Sequence, residues 1–189
     1  MTTFSELLKT RRSIRSFQEK GVPLELVMEL IKESTYAPSS GNGQPWRFIV
    51  VNNREMIRRL SDESKRNLLA AAEKYPDSPS KKYAGILSSK DFNVFYNAPC
   101  LVIILGPKAV MSLDLDCALF ACYFMFAAAA RGLGTCWVNL GSDLRAPELL
   151  QEIGMPEDHR IVAPIILGYP TAIPSPRERA EPQILKVIS

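Results

Sequence analysis

The chain has 189 residues, 47% of them hydrophobic and 23% charged, and a formal net charge of +3 at pH 7. That length suits one domain with a sizeable core, the composition is ordinary for a globular protein, and the charge is too small to argue for nucleic acid. No charged-then-apolar leader opens the sequence, and the run Ala118 to Ala130 is shorter than the roughly 20 residues of a bilayer span, so a cytoplasmic protein without membrane contact is expected.

In chain order, Thr3-Phe4-Ser5-Glu6 carries a capping-box pattern ahead of Leu7 and Leu8, predicting a first helix that ends near Arg11-Arg12-Ser13-Ile14-Arg15. Pro23 opens a second helix, with Leu24, Val27, Met28, Ile31 and Thr35 spaced along one face, and Pro38 closes it. The polar loop Ser39–Gln44 leads into Phe48 to Val51, a short, mostly aromatic or β-branched run that reads as a buried strand. Asn53 can cap a third helix with Met56, Ile57 and Leu60 inward. Residues 75–93, with Pro76, Pro79 and Gly85, read as a mobile surface excursion of the kind that often covers active sites.

Leu101 to Leu105 is a second buried strand, and Asp114 or Asp116 can cap the next helix. That helix is apolar almost all round from Ala118 to Ala130, so it needs enclosure by its own domain or by a partner. Gly132 and Gly134 end it, Thr135 to Leu140 reads as a strand, and Pro147 and Gly154 bracket a short helix. Ile161 to Leu167 is the last core strand. Pro170, Pro174, Pro176 and Pro182 favour an extended arm whose weakly alternating end, Ile184 to Ile188, suits an exposed sheet edge. The expectation is one α+β domain over 1–189, with residues 170–189 as the arm.

Candidate chemistry is sparse. Cys100, Cys117, Cys122 and Cys136 lack metal-ligand spacing and read as reduced, buried thiols, so no metal is expected. His159 reads as a surface imidazole; Asp91, Glu148, Glu152, Asp158 and the remaining carboxylates read as surface charge. Gly132-Leu133-Gly134 is no dinucleotide fingerprint, because it follows a helix and Trp137 replaces the third glycine. Arg11, Arg12, Ser13 and Arg15 are either cations at a helix end or an oxyanion clamp, since guanidinium forks match phosphate oxygens; Arg177 and Arg179 can complete such a clamp. Ser39, Ser40, Asn42 and Gln44 are either turn chemistry or a binding loop.

Ala37-Pro38-Ser39-Ser40-Gly41-Asn42-Gly43-Gln44-Pro45-Trp46, running into Phe48-Ile49-Val50-Val51 and read with Arg11 to Arg15, resembles the signature segments of the FMN-dependent nitroreductase family. The resemblance runs in order from Leu8 to about Pro182. It implies a nitroreductase-like α+β fold, a mixed central sheet enclosed by helices, with the C-terminal arm extending onto the partner of a homodimer. It implies FMN, with NAD(P)H as a transient donor and a nitroaromatic, quinone or similar small acceptor served by a ping-pong mechanism. The chemistry is then the flavin's, and no protein side chain is catalytic. Arg11, Arg177 and Arg179 match phosphate-binding positions, Arg12 and Ser13 line phosphate and ribityl chain, and Arg15 lies beside the pyrimidine edge, where a cation stabilises the charge gained on reduction. Pro38, Ser39, Ser40 and Asn42 match a loop reaching the flavin held mainly by the other subunit. Trp137, Val138, Asn139 and Leu140 match the segment along the flavin's N5 and O4 edge. Family members often have glycine where Leu140 stands, one place before Gly141, and no residue between Lys65 and Asn93 clearly matches the family's further pyrimidine contacts. Alternatives on the same fold are a flavin-consuming, azoline-oxidising or dehalogenating enzyme and a non-enzymatic flavin-binding dimer; a nucleic-acid module is the weakest rival.

Overall fold

The computed structural model describes residues 3–75 and 77–188; Pro76 and the outermost residues of the 1–189 span lie outside the described residues. Four strands, β1 (Arg47–Val51), β2 (Cys100–Pro107), β3 (Gly134–Trp137) and β4 (His159–Gly168), form one sheet in the order β1-β2-β4-β3. All three strand pairs are antiparallel, and a parallel bridge between Ser13 and Thr135 makes the sheet mixed at its β3 edge.

Alternation along the strands builds a core on each face. On β2, Cys100, Val102 and Ile104 face α2 (Leu24–Ser34) and α5 (Leu113–Ala130), while Leu101, Ile103 and Leu105 join the cluster that includes residues of α3 (Arg54–Lys74) and α6 (Pro147–Glu152). A register shift between Ile104 and Leu105 interrupts the pairing with β4. β2 and β4 are the central strands, and their near-continuous hydrophobicity reflects burial on both faces; β1, also read from an apolar run, lies at the sheet edge and is only part-buried.

Local signals place the helices. At α1 (Phe4–Thr10) the Glu6 N–H donates to Thr3 Oγ1 and the Thr3 N–H to Glu6 Oε2, closing the expected capping box at 3.3 and 2.7 Å. Asn53 Oδ1 caps α3 by accepting from the Met56 N–H at 2.8 Å. On α2 the buried stripe is Val27, Leu30, Ile31 and Ser34, whereas Leu24 and Met28 are exposed, so the inner face is rotated from the expected one. The strand expected over Thr135 to Leu140 ends at Trp137, because a 3-10 turn begins at Asn139.

Helix α5 starts at Leu113, and neither expected aspartate is its cap. Asp116 is buried in the first turn, accepting from the Ser112 hydroxyl at 2.8 Å and from the Ser40 N–H at 2.9 Å. Leu113, Cys117, Phe120, Ala121, Phe124 and Ala128 are buried in the first core, and Phe120 packs against Trp46 and Phe48 with ring centroids 5.2 and 4.6 Å apart. Leu115, Leu119 and Tyr123 face outward and stay 71%, 42% and 44% exposed, so this chain encloses only half of its most apolar helix. Counted over all 18 residues, α5 is long and apolar enough to cross a membrane, which the run Ala118 to Ala130 alone does not convey; here its inner half is sheet core.

The described residues from 77 to 93, expected as a mobile surface excursion, carry local structure and anchoring contacts. A 3-10 turn (Pro79–Tyr83) leads into α4 (Ala84–Leu87), Leu87 is buried, and Lys65 Nζ donates to the Ser89 and Phe92 carbonyls at 2.7 and 2.8 Å. After Pro170 the chain forms no helix or strand: residues 171–188 are exposed throughout, and Ile184 to Ile188 pair with no described strand.

Candidate functional site

The arginine segment reaches its place because the chain leaves α1 along β3. The Ile14 N–H donates to the Thr135 carbonyl at 2.9 Å, and Ile14 is buried beside Gly134. A Cβ on Gly134 would stand 2.7–2.8 Å from Ile14 carbons, closer than real side chains approach, so glycine is what lets the strip lie against the strand. The arm begins beside the same strip. Phe17 bridges Pro170, the Gln18 N–H donates to the Tyr169 carbonyl at 2.8 Å, and the Thr171 hydroxyl donates to Ser16 Oγ at 2.7 Å.

These contacts bring together most of the expected phosphate-binding residues. Arg11, Arg12, Ser13, Arg15, Arg177 and Arg179 line one cavity of about 380 Å³ with Pro174 and Ser175. Arg12 is braced by donating to the Arg11 carbonyl at 2.6 Å and to the Lys9 carbonyl, and Arg11 lies over the Phe126 ring, 5.7 Å from its centroid. Five guanidiniums line one volume with no carboxylate among its lining residues, a donor set that matches an oxyanion and exceeds what a helix end needs.

Arg15 also lines a second cavity, of about 630 Å³, whose walls include Tyr96, Cys136, Trp137, Val138, Asn139 and Leu140. The guanidinium lies 5.6 Å from the Tyr96 ring centroid. Tyr96 and Asn97 hold φ near +53° and +52°, a conformation uncommon outside glycine, and the Phe95 N–H donates to Asn93 Oδ1 at 2.8 Å just before them. The turn Pro79–Tyr83 contributes Ser80, Lys82 and Tyr83 to the same lining.

Helix α3 fixes the segment that follows Trp137. Ser64 Oγ donates to the Leu140 carbonyl, and Asn67 Nδ2 donates to the Asp143 carbonyl at 2.9 Å and to Glu63 Oε1 at 2.9 Å. Glu63, only 3% exposed, also accepts from the Ala146 N–H at 3.0 Å and pairs with Arg66 at 2.8 Å. Burial pushes the Glu63 carboxyl up, but Asn67, the Arg66 charge and the Ala146 and Arg145 N–H groups outweigh it and hold it below the usual carboxylate range. Gly141 is needed here too, because a Cβ would overlap the Phe95 ring. The glycine next to Leu140 is therefore the one demanded by packing.

The loop holding Pro38, Ser39, Ser40 and Asn42 lines neither cavity. It is anchored at the start of α5 through the Ser40–Asp116 hydrogen bond, with the Gln44 N–H donating to Ser39 Oγ at 3.1 Å and Gly41, Asn42 and Gln44 at positive φ. Arg11 meets α5 at Phe126, ten residues and about 15 Å further along the helix. Within one chain, then, the two signature segments stand apart.

Several other expectations need correction. Cys100, Cys117 and Cys136 are buried but Cys122 is exposed, its position falling on the outer face of α5. Burial pushes the Cys100 and Cys117 thiols up to about 12. It also raises Cys136 against the pull of Arg15, Ser13 and Arg11, so the thiol in the cavity wall is a neutral apolar neighbour and no nucleophile. His159 is the first residue of β4, its side chain 13% exposed and its Nδ1 2.7 Å from Asp158 Oδ1, because that strand starts two residues earlier than its apolar run. Glu63 and Asp116 are buried, unlike surface charge. Among the described residues no group of three His, Cys, Asp or Glu side chains could hold a metal. Tyr96, Lys82, Tyr83 and Asp143 join the site without a sequence signal of their own; the one available hint is Asn93 and Asn97 around Tyr96, a residue type that tolerates left-handed backbone.

Comparison with known proteins returns one family. The sequence pattern described as the nitroreductase family matches residues 8–169. A chloronitrobenzene nitroreductase of Comamonas testosteroni is 30% identical, over 87% of this chain and 85% of that protein. An iodotyrosine deiodinase of Thermotoga neapolitana is 27% identical, over 90% of this chain and the whole of that protein. A crystal structure of a nitroreductase with bound FMN from Bacteroides fragilis superposes with a TM-score of 0.81, at 26% identity over 98% of this chain and 97% of that one.

Proposed function

The chain belongs to the nitroreductase family, and from that premise we propose that it is an FMN-dependent oxidoreductase that passes electrons from NAD(P)H to nitroaromatic, quinone or similar small acceptors. The observation that carries this reading is the pair of cavities joined by Arg15: an arginine-lined volume sized for a phosphate and its chain, opening beside a larger one with aromatic and backbone walls. The donor set suits FMN. Arg11, Arg12, Arg177 and Arg179 match a terminal phosphate dianion, and the walls contain two buried donors, Arg12 Nε and Trp137 Nε1, with no partner among the described residues. Bound there, FMN supplies a two-electron carrier between donor and acceptor.

The protein's own part is positioning and electrostatics. Arg11, Arg12, Ser13, Arg177 and Arg179 would hold the phosphate and ribityl chain. Arg15 would lie beside the pyrimidine edge and stabilise negative charge there. Trp137, Val138, Asn139 and Leu140, a segment kept in place by Ser64, Asn67 and Glu63, would border the flavin's N5 and O4 side. Donor and acceptor take turns in the larger cavity. Per turnover on a nitro group, NAD(P)H and a proton are consumed, and a nitroso group, NAD(P)+ and water leave.

We propose further that all 189 residues act as one domain of a homodimer that shares its two sites, with residues 170–189 reaching the second copy. A two-fold axis near the middle of α5 would exchange the Asp116 and Phe126 ends of two helices, bringing Pro38, Ser39, Ser40 and Asn42 of one copy to the other's arginines. The exposed Leu115, Leu119 and Tyr123 support that contact. Four free cysteines suit a reducing, cytoplasmic location. The test is direct: purified protein carries flavin absorption, denaturation releases FMN and not FAD, and initial rates against both substrates give parallel double-reciprocal lines. Protein that stays colourless after FMN is added sinks the cofactor reading, and intersecting lines sink the shared-cavity order.

A further inference from the structure

The larger cavity has an uneven charge inventory. Of its lining residues Arg15 and Lys82 are cationic and Asp143 is anionic. Asp143 is engaged bidentately by Arg145, with Nε to Oδ1 at 2.6 Å and a terminal nitrogen to Oδ2 at 2.9 Å, so its charge is already matched. Arg15 belongs also to the arginine-lined cavity and serves the cofactor in the reading above. Lys82 is the cation left over. Among the described residues it has no carboxylate partner, and its ammonium stands 4.9 Å from the centroid of the Tyr83 ring, which shares the wall.

We propose that this cavity selects acceptors bearing one negative charge, aromatic carboxylates over neutral or zwitterionic rings, and that Lys82 is the residue that reads the charge. The proposal rests on the redox reading of the cavity and adds the substrate class. A cation beside an aromatic ring, in a cavity that Arg15 also lines, matches a flat ring with an anionic substituent. An ammonium group has no unpaired carboxylate to meet, since Asp143 is taken by Arg145. The segment Pro38–Gln44, which the dimer brings from the second copy, contains no acidic residue either. Selection against zwitterions thus comes from a missing partner, and preference for anions from Lys82.

Three acceptors with one reacting group decide it: nitrobenzene, para-nitrobenzoate and para-nitrophenylalanine, turned over by FMN-loaded wild type, Lys82→Gln and Lys82→Arg. The kcat/KM ratio of para-nitrobenzoate to nitrobenzene should fall about tenfold in Lys82→Gln, equivalent to about 1.4 kcal/mol, and recover in Lys82→Arg. The para-nitrophenylalanine ratio should move less than about threefold, because its ammonium opposes the same contact. Added salt should erode the para-nitrobenzoate preference in wild type and Lys82→Arg but not in Lys82→Gln. Equal losses on all three acceptors, or an unchanged para-nitrobenzoate ratio, overturn the proposal. So does an effect confined to reduction by NADPH over NADH, which would assign Lys82 to the donor's extra phosphate. If neither nucleotide reduces the flavin, the redox reading fails by itself. Equilibrium dialysis of para-nitrobenzoate against wild type and Lys82→Gln then still decides the charge preference: tighter binding to wild type upholds it, equal binding overturns it.

Discussion

Arg15 is the residue that lines both cavities, and Arg11, beside it in the arginine-lined one, is the phosphate ligand proposed above. Arg11→Ala removes charge-assisted bonds of about 1.5–3 kcal/mol, so FMN affinity measured by flavin fluorescence should fall about 10- to 150-fold. Arg15→Gln should weaken binding less but slow flavin reduction more; the opposite ranking would reverse the two roles. Glu63 gives a prediction about pH. Its folded carboxyl lies below the usual range, so its stabilisation is complete above the unfolded value of about 4.3 and drains away as pH falls through the lower, folded value. Thermal unfolding should therefore show a steeper acid loss in wild type than in Glu63→Ala. At neutral pH Glu63→Ala should cost about 3 kcal/mol, because the Ala146 N–H and the Asn67 amide lose a buried acceptor. Matching acid limbs would show that Glu63 titrates alike in both states.

At the scale of elements, the joint between the arginine strip and β3 is the most exacting. A methyl group at Gly134 meets Ile14 carbons at 2.7–2.8 Å, so Gly134→Ala should cost about 1–3 kcal/mol and lower FMN affinity as the strip is displaced. A variant with full stability and full affinity would mean that Ile14 moves aside freely. Much at this scale was legible from the sequence. The Thr3–Glu6 box, the Asn53 cap and the apolar runs at Phe48, Leu101 and Ile161 carry their signals within a few residues, and each stands near where it was expected. The α2 face was misjudged because Leu24 and Met28 are apolar yet unpaired within the chain, and spacing cannot tell a core stripe from a surface one. Glu63 and Asp116 escaped notice for a different reason: besides local side-chain partners, each accepts from a backbone N–H as far as 83 residues away, which no local pattern records. The convergence of the arginines near both ends on one cavity follows the grouping expected from the sequence; Lys82 and Tyr96 join the cavity lining only through tertiary folding.

For the whole molecule, the outer face of α5 and the separation of the signature segments along it point the same way. Leu119→Arg should give a monomer by sedimentation, since interfaces of the obligate kind bury about 2,000–5,000 Å² and tolerate a central charge poorly. In the proposed dimer Ser39, Ser40 and Asn42 reach the partner's cavity, so FMN affinity should fall with it. A variant that is monomeric and still binds FMN fully would separate the cofactor site from the interface. The central claim, electron passage from NAD(P)H to a small acceptor through FMN held between the arginine clamp and the Trp137–Leu140 wall, meets its most direct test in one anaerobic stopped-flow experiment. FMN-loaded protein mixed with NADH or NADPH should lose its visible flavin absorbance, and a second mixing with a nitroaromatic or quinone should restore it at a rate compatible with turnover. A flavin that neither nucleotide bleaches, or that no acceptor reoxidises, would contradict the account.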